Sequence, residues 1–128
     1  MKKLKAFRQA VADQVFATEI IEGLRSQLRA MKNIQIGSSL TVEPNSSDSQ
    51  YTYGLGVLRQ RLEASIELGI STVEVKEQID HIKTMFKLSR ELQQWLVYDK
   101  ELYRYVISLE ELLSPTEKFE LLEKPCKP

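Results

Sequence analysis

The chain is nearly empty of the residues that most often carry chemistry. Its 128 residues include one cysteine, Cys126, and one histidine, His81. A lone cysteine cannot close a disulfide within the chain, which removes the stapled frameworks of small secreted domains. Cys126 reads as an exposed, inert thiol in a frayed tail. Together Cys126 and His81 fall short of the four ligands of a structural zinc site, so no metal and no cofactor are expected. No apolar run approaches the roughly 20 residues that span a bilayer. Met1-Lys2-Lys3-Leu4-Lys5 begins basic, but Arg8, Gln9, Asp13 and Gln14 interrupt what a signal peptide keeps apolar. The expected location is the cytoplasm, with no membrane and no small-molecule substrate.

An excess of charge of either sign is missing too. Lysine plus arginine number 18, as do aspartate plus glutamate. No global field draws the molecule to nucleic acid or anionic lipid. The distribution is uneven: residues 1–32 carry a net +4, residues 33–58 carry −2 and residues 59–128 carry −2. A basic first segment facing a mildly acidic remainder fits antiparallel helix packing better than a phosphate-binding end.

What the chain does have is helical periodicity. Leu88, Leu92, Trp95, Leu102, Val106, Leu109 and Leu113 alternate at four and three, and Asp99 fills the missing slot. Val75, Ile79, Ile82 and Phe86 follow the same rule in another phase, so the register breaks between Phe86 and Leu88. In residues 4–32, Leu4, Phe7, Val11 and Val15 and then Ile20, Leu24, Leu28 and Met31 predict one amphipathic helix whose phase slips near Thr18 and Glu19. At 1.5 Å per residue it would be roughly 43 Å long, the length of a hairpin arm.

Residues 33–56 read as a polar loop, with Asn33, Gly37 and the run Pro44-Asn45-Ser46-Ser47-Asp48-Ser49 as breakers. Inside it, the alternation at 34–42 reads either as a small β-hairpin or as an extended linker. A short helix is expected over 57–69, stopped by Gly69. Ser71 and Glu74 have the spacing of a capping box that would open a long or stuttered helix over 72–113. Ser114-Pro115-Thr116-Glu117 predicts a last helix over 115–123, ended by Pro125 and Pro128. The whole is expected to be one all-α domain, 1–128. Its long antiparallel hairpin resembles a coiled coil, braced by a short second helix and a short C-terminal one.

The constellations that could carry chemistry are sparse. His81 stands beside Asp80 with no nucleophile fixed near it, and reads as a surface or seam-edge histidine rather than a general base. Glu110-Glu111 and the Glu74/Glu77 pair read as solvated helix faces. Gly54-Leu55-Gly56 matches only the start of a dinucleotide fingerprint and follows no strong strand. An enzyme is not expected.

The stretch Ala64-Ser65-Ile66-Glu67-Leu68-Gly69-Ile70-Ser71-Thr72-Val73-Glu74-Val75-Lys76-Glu77-Gln78-Ile79 resembles the helix-turn-helix of DNA-binding regulators. The likeness covers about 16 residues, within a candidate motif at 61–80, and implies that Ser71, Thr72, Glu74 and Lys76 face a major groove, with Ser71, Thr72 and Lys76 as the DNA contacts. Glu74, Glu77 and Asp80 depart from the basic surface such a helix offers. The same residues also describe a structural αα-corner.

Trp95, Tyr98, Tyr103 and Tyr105, with Lys100 and Arg104, could stack on single-stranded bases, but read better as a helix–helix interface. Asp99 should meet a basic partner, with Arg25, Arg29 and Lys32 as candidates, and fix register or oligomeric state. Two functions follow as expectations. The first is a non-enzymatic interaction or adaptor protein that forms a homodimer or binds a protein partner through apolar helix faces. Its interface residues would be Leu92, Trp95, Tyr98, Asp99, Leu102, Val106 and Leu109. The alternative is a small DNA-binding transcriptional regulator. The size and the lack of motifs also suit an accessory protein of a phage, plasmid or other mobile element.

Overall fold

The computed structural model describes residues 2–37 and 40–123. Cys126, Pro125 and Pro128 lie outside the described residues. The fold is all-α with one small hairpin: α1 (Lys2–Ala30), β1 (Ile34–Ile36), β2 (Leu40–Val42), α2 (Asp48–Leu68), α3 (Val73–Leu112) and α4 (Pro115–Glu123). The chain divides into two compact units, one of Met1–Gly23 with Leu92–Pro128, the other of Leu24–Glu91. Both divisions fall inside helices, one in α1 and one in α3.

α1 buries a regular seam. Leu4, Phe7, Ala10, Ala17, Ile21, Leu24 and Leu28 are buried, and Gln14 and Met31 are half-buried. From Phe7 onward these positions alternate at three and four, with no slip at Thr18–Glu19. The expected slip came from following branched and large residues only. The seam runs instead through Ala10 and Ala17, which are 2% and 0% exposed, while Val15 is 42% exposed. Small side chains at a seam let a facing helix approach closely, so burial here follows position rather than bulk.

In the first unit Leu4, Phe7 and Ala10 of α1 pack with Leu102, Val106 and Leu113. Val11, Leu109 and Leu121 of α4 close around them. Phe16 meets Trp95 in the same unit, so α1 and α3 run antiparallel there. α4 starts where expected: the Ser114 N–H donates to Glu117 Oε1 at 2.9 Å, and the Glu117 N–H donates to Ser114 Oγ at 3.2 Å. This reciprocal cap satisfies two amides of the first turn.

The second unit is built around the hairpin. β1 and β2 pair antiparallel with Ile34 opposite Val42 and Ile36 opposite Leu40. An isolated two-stranded hairpin is marginal; this one is held by its apolar face. Ile34, Ile36 and Val42 pack with Tyr51 and Leu58 of α2 and with Ile79, Ile82 and Met85 of α3. The Tyr51 ring stacks on Phe86 at 5.4 Å, and its hydroxyl donates to the Pro44 carbonyl.

α2 begins at Asp48, nine residues before the expected 57, and shortens the loop. Its start is a second capping box: the Gln50 N–H donates to Ser47 Oγ, and the Ser47 N–H donates to Gln50 Oε1 at 3.0 Å. Gly54 and Gly56, which fall inside the expected 33–56 loop, lie within the helix. Gly54 sits where a Cβ would come within 2.9 Å of Val42 Cγ2, so its lack of a side chain lets α2 lie on the hairpin. Gly69 ends α2 at φ 68°, donating to the Ile66 carbonyl while Ile70 donates to Ser65. That pairing is a Schellman stop, for which a left-handed glycine is suited.

α3 is one unbroken helix of 40 residues. The phase change between Phe86 and Leu88 is accommodated without a pause. Met85 is buried, and Phe86, Leu88 and Ser89 are half-buried, so the covered arc widens there before the downstream stripe takes over. The Ser71–Glu74 capping box does not form. Ser71 Oγ accepts from Val73 at 3.4 Å, and the first helical carbonyl used is that of Thr72, bonded by the Lys76 N–H.

Candidate interaction surface

Of the seven residues expected to form a protein interface, two are consumed within the chain. Leu102 and Val106 are each 8% exposed, covered by α1. Leu92, Trp95, Asp99 and Leu109 are half-buried, and Tyr98 is open. A chain of aromatic contacts starts on α1 and crosses to α3. The rings of Phe16 and Trp95 lie 6.2 Å apart at 66°, and those of Trp95 and Tyr98 5.5 Å apart at 85°. Both are edge-on arrangements that the ring quadrupole favours. Phe16 remains 55% exposed and Tyr98 45%. Gln94, Trp95 and Tyr98 line an open cleft of about 340 Å³.

Tyr98 also begins a second line along α3. Tyr98, Tyr105 and Leu112 recur every seven residues, and all three are exposed. At 100° per residue they lie to one side of the buried Leu102/Val106/Leu113 seam, about 60–100° around the helix. The apolar arc of α3 is therefore wider than the part α1 covers. Sequence reading missed Phe16 and Leu112. Phe16 is a large aromatic off the α1 seam, and Leu112 completes a seven-residue spacing. Both signals were present.

Asp99 keeps its seam slot but not its expected partners. Its Oδ1 is buried without a hydrogen-bond partner, as are Nε and Nη2 of Arg8. Arg25, Arg29 and Lys32 belong to the other unit. The physical reason is register. Phe16 against Trp95 sets residues near 12, not 25–32, opposite Asp99.

A polar cleft of about 300 Å³ in the second unit is lined by Asn33, Ile34, Gln35, Glu74, Glu77, Gln78 and His81. The His81 ring nitrogen Nε2 lies 3.0 Å from the Lys32 carbonyl just past the end of α1. A carbonyl only accepts, so Nε2 carries the proton and donates. That nitrogen is engaged with backbone, and among the described residues no hydroxyl or thiol lines the cleft. Among the described residues no group of three or more His, Cys, Asp or Glu could hold a metal ion.

The corner at 61–80 is partly apolar on its outside. Ile66, Leu68, Ile70 and Val73 are 58–74% exposed. Ser71, Glu74 and Lys76 are exposed and Thr72 is half-buried, whereas Val75 and Ile79 pack inward with α2. No helix among the described residues is long and apolar enough to cross a membrane.

Fold and surface together define a class: a small all-α protein with a minimal β-hairpin and an exposed aromatic helix face. Comparison with protein-family models, with curated proteins and with solved structures gave no match to this chain.

Proposed function

We propose that this chain is a non-enzymatic interaction protein, cytoplasmic, that engages a protein surface through the aromatic face of its first unit. The observation that carries this reading is the Phe16–Trp95–Tyr98 contact chain, whose two ends stay about half exposed. Aromatic anchors beside a shallow cleft are the composition of interface hot spots. A photo-crosslinking phenylalanine analogue placed at Tyr98 should trap protein in cells. The same analogue at Tyr53, which is 62% exposed on α2, serves as the control. Equal trapping at both positions would overturn the reading.

A second reading, a DNA-binding regulator, rests on the exposed Ser71, Glu74 and Lys76 of the α2–α3 corner. Lys76 stands between Glu74 and Glu77, which disfavours a phosphate backbone. Salt-dependent retardation of duplex DNA, lost in Lys76→Glu, would favour it over the first reading. No binding at low salt would remove it.

A further inference from the structure

We propose that a second copy of this chain occupies the Tyr98–Tyr105–Leu112 stripe, pairing antiparallel about a two-fold axis at Tyr105. This rests on the interaction reading above and names its partner.

The first argument is symmetry. A two-fold interface uses one patch twice, so that residue i meets j and j meets i. The stripe is evenly spaced about its middle member. An antiparallel pairing centred on Tyr105 sets Tyr105 against Tyr105, and Tyr98 against Leu112 at both ends. Every exposed apolar member of the line thus gains an apolar partner from the other copy.

The second argument is charge. Between the stripe residues lie Glu101 and Ser108. Antiparallel pairing sets Glu101 of each copy opposite Leu109 and beside Ser108 of the other. Parallel pairing would set Glu101 against Glu101, a like-charge contact in the interface. The lysines and arginines of this half of α3, Lys100 and Arg104, project about 100–140° away from the Tyr105 direction. A strongly charged partner would find one carboxylate here and nothing to pair with. The whole chain carries 18 positive and 18 negative side chains, so two copies approach without net repulsion.

The third argument is continuity. The stripe starts at Tyr98, where the Phe16–Trp95 contacts end. Association would extend an apolar surface that the fold already builds, with interhelical spacing of about 8–10 Å.

The test uses the full chain. Sedimentation equilibrium should show reversible self-association above the 14.8 kDa monomer. Tyr105→Glu, at a residue 52% exposed, should leave the helical spectrum unchanged and weaken association at least about tenfold, the scale of one lost hot spot. In a Cys126→Ser background, mild oxidation should cross-link Tyr105→Cys chains and leave Tyr103→Cys chains, on the other flank of α3, uncrosslinked. A chain that stays monomeric overturns the proposal. So does a dimer indifferent to Tyr105→Glu, or equal cross-linking at both positions. A monomeric chain that the Tyr98 photo-crosslinker still joins to another protein overturns the second copy alone and leaves the interaction reading standing. A monomer with no cross-linking overturns both.

Discussion

Asp99 occupies a position that spacing reserves for an apolar side chain. Its Oδ1 is buried and unpartnered, and so are two nitrogens of Arg8 in the same unit. A buried acceptor without a donor costs about 1–3 kcal/mol. Asp99→Leu should therefore raise the free energy of unfolding, by about 1–2 kcal/mol, in chemical denaturation. A loss of stability would instead show that the carboxylate serves Arg8 in solution. Glu117 makes the opposite case, a carboxylate with its partners in place. The Ser114 backbone N–H, its strongest influence, holds the group below its ordinary 4.5, aided by the Ser114 hydroxyl and Lys3 and opposed by partial desolvation. A depressed folded-state pKa contributes stability above the unfolded value and loses it as pH falls through the folded one. The protection factors of the α4 amides, taken against the intrinsic exchange rate at each pH, should accordingly fall as pH drops below 4.5. Glu117→Gln keeps an acceptor oxygen at the cap, so α4 in that variant should show no such acid step.

Helix existence and type were legible from spacing, because burial at three-and-four intervals is what the residues encode. The α3 stripe from Leu88 to Leu113, the α4 cap and the Gly69 stop read directly. Two elements did not. The α1 seam was misread because Ala10 and Ala17 carry little hydrophobic signal, although close packing needs small residues there. The start of α2 was misread because Gly54 and Gly56 look like loop residues until the hairpin lies against them. Gly54 thus records a tertiary contact that no local pattern contains. Gly54→Ala should improve helix propensity and still destabilise the protein by about 1–3 kcal/mol, since the added Cβ meets Val42. Thermal melts would check this; a variant as stable as the parent would show that α2 can slide off the hairpin freely. The candidate surface was half legible. Trp95 came from the stripe and Tyr98 from the aromatic cluster beside it, but which members α1 covers is decided by the antiparallel register.

At the scale of the molecule, two cores share two helices. One gathers Leu4, Phe7, Ala10, Leu102, Val106 and Leu113; the other gathers the hairpin, α2 and the Ile79–Met85 segment. The first unit joins two separate stretches of the chain, whereas the second is a single central span. The exposed aromatic face belongs to the first, the corner with its exposed aliphatics to the second. The phase change between Phe86 and Leu88 is what allows one helix to serve both. It also makes the number of residues in that stretch a quantity under constraint, apart from their identity. Adding or removing one residue there would turn everything downstream by about 100°. Relative to the upstream stripe of the same helix, the Leu102/Val106 line would then lie about 100° round from its present position, with no side chain altered. In this chain a length change of one at the middle of α3 should be as disruptive as a charge in the core.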